Sequence, residues 1–203
     1  MYNRANSLLA YPHYEQMSVK EYKTLASQSQ QGRYEYVDGY AYLLAGGTRY
    51  HAVICGNVNH EFRLRLHGTS CQVYTSDAAL QLSETRYFYP DVSVSCDPRD
   101  TESEGTMVHY PRLVVEVLSY STEAYDRGEK FDYYRTCPTL QEYVLISVQH
   151  PSIHVYRRAS ELLWTFHAFG LHDDIELTSL GITIPFTSIY QNITFERPPY
   201  RSL

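Results

Sequence analysis

Five side chains in this 203-residue chain have the types and spacing to do chemistry. Asp91 stands in Tyr89-Pro90-Asp91-Val92, Glu116 interrupts Val114-Val115-Glu116-Val117-Leu118, and Lys130 follows shortly after. Glu35 lies in Arg33-Tyr34-Glu35, and His51 follows Tyr50. A carboxylate on a buried strand is costly unless something binds it, and otherwise takes up a proton. Two acids on strand-like runs, separated by one hairpin or crossover, suggest the oxygen donors of a divalent metal site.

Each residue also has a plainer reading. The run from Leu113 to Leu118 is apolar except for Glu116 and reads as a strand buried on both faces, with Glu116 on the face of Val114 and Leu118. An ion pair with Arg112 or Lys130 would also account for it. Asp91 shares a face with Ser93 and Ser95, and as a turn residue it would bond local amides. Lys130 lies four residues after Asp126, the spacing of a surface helix pair. Gly128 between them weakens a helix and makes more sense where the backbone packs closely on a neighbour. Strand alternation sets Glu35 opposite Tyr34 and Tyr36, which on the plain reading turns it to solvent. His51 falls in register with Cys55, Val58 and Phe62, where a packed core histidine is the ordinary reading.

The elements that must position these residues are legible in outline. Ser18, with Glu21 three residues on, predicts a capped helix to about Ser27. Arg33–Val37 and Tyr40–Leu44 flank Asp38-Gly39, a two-residue hairpin signal. Gly46-Gly47-Thr48 precedes an amphipathic helix over Tyr50–Leu66, ended by Gly68. Strands are expected at Cys71–Thr75, Ala78–Leu82, Asp91–Ser95 and Arg112–Leu118. A helix should span Thr122–Arg135 and end before Pro138. Glu142–Ser147 and Ile153–Arg157 should pair about His150-Pro151, with weaker strands at Leu162–His167 and Ile182–Ile184. The acidic loop Asp97–Thr106 is of the kind that lines or covers a site. These elements predict an α/β (α+β) domain: a central mixed sheet flanked by helices, with an N-terminal helix and β-hairpin. Residues 1–16 are expected to be loose, 17–192 to form one domain, and 193–203 a tail.

Composition narrows the function. The net charge of −6 speaks against a protein that coats nucleic acid by general electrostatics. The basic groups Arg63/Arg65/His67, Arg157/Arg158 and Arg197/Arg201 read singly as solvated surface charge. The 21 tyrosines suit half-buried strands and interfaces alike, and do not separate the two. Cys55, Cys71, Cys96 and Cys137 form no CxxC pair, which disfavours structural zinc and fits buried thiols in a reducing cytoplasm. No apolar run spans a bilayer and the N-terminus lacks a signal-peptide shape, so a cytoplasmic protein without membrane contact is expected.

In this order the residues resemble the Uma-type restriction-endonuclease family of the PD-(D/E)XK nuclease superfamily. The matching segments are Arg33-Tyr34-Glu35-Tyr36-Val37-Asp38-Gly39, Tyr50-His51, Ser76-Asp77, Tyr89-Pro90-Asp91-Val92, Val114–Ser119, Ser121-Thr122-Glu123, Asp126–Phe131, Tyr134-Arg135 and Leu140–Leu145. The resemblance runs from about Ser18 to Tyr190. It implies a restriction-endonuclease-like core and a metal-dependent endonuclease, with Asp91 and Glu116 as the metal acids. The superfamily's lysine, usually two residues after the second acid, would here be Lys130, because Leu118 occupies that place. Tyr120 stands where the family usually has proline. The chemistry so implied is Mg²⁺-assisted phosphodiester hydrolysis, with Mn²⁺ as a possible substitute. Asp91, Glu116 and the Val117 carbonyl would bind the ion, Lys130 would serve the attacking water or the phosphate, and Glu35 would hold a metal water or a second ion. His51 would contact phosphate or tune Glu35. DNA is the expected partner and a homodimer the expected assembly. The alternatives are an inert nuclease fold kept as a binding module, and a metal-dependent hydrolase of a non-nucleic substrate.

Overall fold

The computed structural model of the chain describes residues 14–195. β1 (Tyr14–Gln16) leads into α1 (Val19–Gln28), which starts at the expected capping box: Glu21 N donates to Ser18 Oγ at 3.3 Å, and Ser18 N to Glu21 Oε2 at 2.7 Å. β2 (Tyr34–Val37) and β3 (Tyr40–Leu43) form the hairpin around Asp38 and Gly39, whose φ angles of 45° and 101° are the left-handed pair a two-residue turn requires. Thr48 caps α2 (Arg49–Leu66) by accepting from His51 N at 3.2 Å, and the helix buries Ile54, Val58, Phe62 and Leu66. Then follow β4 (Gln72–Thr75), β5 (Ala79–Ser83), β6 (Arg86–Phe88), β7 (Val92–Ser95), the one-turn α3 (Pro98–Thr101), β8 (Met107–Val108) and β9 (Leu113–Leu118). The helix expected over 122–135 is two: α4 (Glu123–Arg127) and α5 (Glu129–Tyr134), parted at Gly128. A Cβ on Gly128 would sit 3.2 Å from the Ala124 carbonyl oxygen, so the close approach is to its own preceding turn. The chain continues with β10 (Glu142–Ser147), β11 (Ile153–Arg158), β12 (Trp164–Phe169), β13 (Asp174–Leu177), β14 (Ile182–Pro185) and α6 (Phe186–Ile189).

Two six-stranded sheets share the work of the one central sheet that periodicity predicts. The first has the order β1-β3-β2-β6-β5-β8 and the second β12-β11-β10-β9-β7-β4. The second is mixed: β9 and β10 run parallel, while β7 and β11 flank them antiparallel. β1 pairs with β3, so residues 14–16 are strand rather than loose. At the other end, Ile193 and Phe195 pack on the core, and residues 1–13 and 196–203, with Arg197 and Arg201, lie outside the described residues.

Alternation along β9 divides the interior. Leu113, Val115 and Val117 join the core beneath α2, β13, β14 and α6, while Val114 and Leu118 join a second core between the sheets with Val37, Leu80, Phe88, Tyr134 and Tyr143. A third, tyrosine-rich cluster of Tyr22, Tyr34, Tyr36 and Tyr87 seats α1 on the outer face of the first sheet. Many of the tyrosines are therefore core residues.

Two expectations are corrected. Cys71 and Cys96 are not free thiols but a disulfide. The β4–β7 register pairs Gln72 with Ser95, which sets the two cysteines opposite one another, a proximity that their separation in sequence does not reveal. Arg157 and Arg158 are not solvated surface charge. Arg158 bonds the carbonyls of Arg135, Cys137 and Leu140, and Arg157 Nε donates to Glu142 at 2.8 Å. Among the described residues, no helix is long and apolar enough to cross a membrane.

Glu142 fixes the start of β10. It is fully buried and accepts from Arg157, from the amides of Thr178 and Ser179 and from both their hydroxyls, so it anchors the β13–β14 turn to the sheet. Removing its charge strands a half-buried arginine and several donors. Glu142→Ala is expected to lower unfolding free energy by about 3–5 kcal/mol, read by urea denaturation; a loss below about 1 kcal/mol would contradict this anchoring role.

Candidate functional site

β7 and β9 place the two strand acids side by side. Val92 pairs with Val115, and one step further the same antiparallel register sets Asp91, just before β7, across from Glu116. Glu116 points into the core between the sheets, where only 5% of the residue is exposed. Its Oε1 accepts the Tyr134 hydroxyl at 2.9 Å and lies 2.9 Å from Lys130 Nζ. Lys130, on α5, also reaches Glu35 Oε1 at 3.1 Å and Asp126 Oδ1 at 3.8 Å. Glu35 comes from β2 in the other sheet and accepts Tyr89 N at 3.0 Å.

The structure thus gathers Glu35, Glu116 and Lys130 into one buried cluster. The solvent-facing reading of Glu35 fails because β2 lies between two sheet neighbours and is covered on both faces. The surface-pair reading of Asp126 and Lys130 fails too, since both are buried beneath α4 and α5. Asp126 is the acid that the sequence reading left out of the site. Its i,i+4 spacing to Lys130 was visible, but the face it occupies was not. Tyr134 was likewise visible only as part of a matching segment.

Asp91 sits at the rim, with 18% of its side chain exposed. Its Oδ2 accepts the Val117 amide at 2.7 Å and lies 3.3 Å from His51 Nε2. The first turn of α2 holds His51 there, and Gly47 makes room: a Cβ at Gly47 would come within 2.7 Å of His51 Nδ1. His51, half-buried in the first turn of α2, pairs with Asp91 rather than filling the core. The loop after β9 is closed by Ser119 Oγ, which contacts Ser121 Oγ and Thr122 Oγ1, and it leaves Tyr120 89% exposed. The acidic loop at Asp97 does not cover the site. It lies at the far end of β7 from Asp91, roughly 20 Å along an extended chain. There it lines a separate cavity with Tyr110, Arg112 and Arg158.

Charge is unbalanced in the cluster. Glu35, Glu116 and Asp126 are buried against a single lysine, with Asp91 adjacent. Burial pushes the Glu116 carboxyl well above its usual range; Lys130 opposes this, and Asp126, Asp91 and Glu35 reinforce it. Burial also raises Asp126, to about 6, against the opposing pull of Lys130 and Thr122. For His51, burial works against the proton but is outweighed by the hydrogen bond and charge of Asp91, with help from Asp126 and the Val117 carbonyl, so its pKa rises. Carboxylate and carbonyl oxygens are the donors a hard divalent cation prefers, and Asp91, Glu116, Glu35 and the Val117 carbonyl are the oxygens such an ion would draw on; Lys130 Nζ lies between two of them, 3.1 Å from Glu35 and 2.9 Å from Glu116.

Comparison with known proteins converges on one family. The Uma2 family, described as "Putative restriction endonuclease", matches residues 19–186. The chain is 39% identical over 183 residues to the uncharacterized protein slr1290 of Synechocystis sp., covering 90% of this chain and 95% of that one. It is 31% identical over 151 residues to sll1609 of the same organism, covering 73% and 85%. Its fold matches the crystal structure of a putative nuclease belonging to DUF820 from Anabaena variabilis with a TM-score of 0.70, over 86% of this chain and 97% of that one. At 14% identity that likeness concerns the fold alone.

Two outcomes test the electrostatics. Lys130→Met leaves three acids buried without their cation and should cost about 3–5 kcal/mol of unfolding free energy in urea. The raised Asp126 means the folded state holds its proton more tightly than the unfolded chain. Its stabilisation is present below the unfolded value of 3.8 and is lost as pH rises through about 6. In metal-free buffer, the stability of Asp126→Asn relative to wild type should therefore increase from about pH 4 to about pH 7. A flat difference would sink this assignment.

Proposed function

The chain belongs to the Uma2 family, and from that premise we propose that it is a divalent-metal-dependent endonuclease that hydrolyses phosphodiester bonds of DNA. The observation that carries this reading is Asp91 and Glu116 on neighbouring positions of β7 and β9, with Lys130 2.9 Å from Glu116. The fold alone would not suffice, since one fold hosts many chemistries; the reading rests on the buried Glu116–Lys130 pair lying across from Asp91 at the rim.

Asp91 and Glu116 would hold Mg²⁺, or Mn²⁺ in its place, with the Val117 carbonyl as a third oxygen and Glu35 behind it. When bound, the ion would polarise a phosphoryl oxygen, lower the pKa of a water and steady the leaving oxygen. The chain's own residues would do the rest. Lys130 would orient the attacking water or neutralise phosphate charge. Its contact with Glu116, 2.9 Å from Nζ, would aim it at the acids. Glu35 would fix Lys130 from the opposite sheet, which is a positioning role. His51 would hold Asp91 in register or contact a phosphate at the rim, where it is half-buried. DNA would be met by the loops at this end, residues 46–48 and 119–122. A homodimer would let two such sites address both strands.

The experiment is cleavage of supercoiled and single-stranded DNA with Mg²⁺ or Mn²⁺, with Asp91→Ala/Glu116→Ala as control and metal binding followed by calorimetry. Wild type should cleave and the double variant should not. Metal binding without cleavage of any DNA or RNA would point to a hydrolase of another substrate. Cleavage and metal binding that survive in the double variant would overturn the assignment of Asp91 and Glu116, and absence of both in wild type would leave an inert binding module.

A further inference from the structure

His51, Cys55 and Asp91 form a second constellation, of which the hydrolytic reading uses His51 and Asp91 but not Cys55. One ligand atom from each lies within 4.8 Å of the other two. Cys55 Sγ is 3.5 Å from His51 Nδ1, and His51 Nε2 is 3.3 Å from Asp91 Oδ2. The geometry has a simple origin. His51 and Cys55 are four residues apart on α2 and so share a face, and β7 delivers Asp91 against that face. The three side chains are only partly buried, so an ion has a route in.

We propose that His51, Cys55 and Asp91 bind a thiophilic divalent cation, Zn²⁺ being the natural occupant, and that this ion excludes the hard cation by occupying Asp91. The donor set is mixed: imidazole, thiolate and carboxylate. Mg²⁺ avoids sulfur and is satisfied by oxygen, whereas Zn²⁺ takes sulfur at about 2.3 Å and nitrogen or oxygen at about 2.0–2.2 Å. One imidazole nitrogen, the Cys55 sulfur and an Asp91 oxygen, all within 4.8 Å of one another, are close enough to share one such ion after small side-chain adjustments. Three protein ligands leave the fourth position of a tetrahedron for water. Binding displaces the Cys55 proton, which leaves with solvent, and no electron is transferred. Asp91 cannot serve both ions in full, so the two sites are in competition. This second part rests on the hydrolytic reading of Asp91; the first part does not.

Cobalt(II) tests the site in the full chain without reference to cleavage, because a cobalt–thiolate bond gives a near-ultraviolet charge-transfer band. Wild type titrated with Co²⁺ should develop that band to a stoichiometric end point and lose it to added Zn²⁺. Cys55→Ala and Cys55→Ser should both lack it, and two variants guard against a single misfolded one. Cys137→Ala should keep it, since that other free thiol lies buried in the core between the sheets. Asp91→Asn should weaken Co²⁺ binding more than about tenfold, beyond what loss of an outer partner costs. No band in wild type, or a band that survives in both Cys55 variants, overturns the site. Mg²⁺ at the concentration that supports cleavage should shift the Co²⁺ titration to higher concentration. A titration unmoved by Mg²⁺ overturns the competition while leaving the thiophilic site standing. If the band fails while Mg²⁺-dependent cleavage succeeds, the hydrolytic reading survives alone.

Discussion

A single buried ammonium organises the centre of this molecule. Lys130 sits between Glu116 of one sheet and Glu35 of the other, with Asp126 one helical turn back on its own segment. None of these charges could remain in the core by itself, because an unpaired ion in a dry interior costs far more than one side chain's packing returns. Their mutual pairing obliges α5 to lie against the seam of the two sheets. It also brings β2 to β9, two strands that share no backbone pairing.

The surrounding elements serve that arrangement. β9 can carry Glu116 because its other inward residues fill two separate cores, so the strand is held from both faces while one position is left for charge. Tyr134 lends Glu116 a hydroxyl from the same short helix as Lys130. The break at Gly128 starts α5 afresh and so sets where Lys130 and Tyr134 fall. Far from the cluster, Glu142 repeats the logic in a different form: a wholly buried carboxylate, but one whose donors are all supplied by the chain. The contrast is informative. Glu142 has a full set of fixed donors and a structural task, whereas Glu116 shares one lysine with two other acids and has its proton affinity raised by burial. Excess negative charge at a site that opens to solvent through Asp91 is the condition under which a cation is expected to matter.

At the rim, the same acid faces two kinds of chemistry. Asp91 looks toward Glu116 through the strand register and toward His51 through the first turn of α2. The candidate ligands on the first side are oxygens, and those on the second include a thiol. Which ion prevails would be decided by ligand softness and geometry rather than by charge alone.

Local order was legible along the chain: the Ser18–Glu21 cap, the Asp38-Gly39 turn and the stripe 54, 58, 62, 66 each became the element they predicted, because caps, turns and periodicity act within a few residues. Glu116 stood out for the same reason, as one acid in an apolar run, and the ordered segments around it sufficed to identify the family. What tertiary structure alone decided was which side chains meet. Alternation alone turns Glu35 to solvent, but β2 has a sheet neighbour on either side and is buried along its length. Asp126 looked like half of a surface pair until α4 and α5 turned it inward. Cys71 and Cys96 looked like separate thiols until β4 and β7 paired. In each case the deciding quantity was the register or packing of segments distant in sequence, and nothing in the spacing of residues along one strand specifies the partner against which it will be buried.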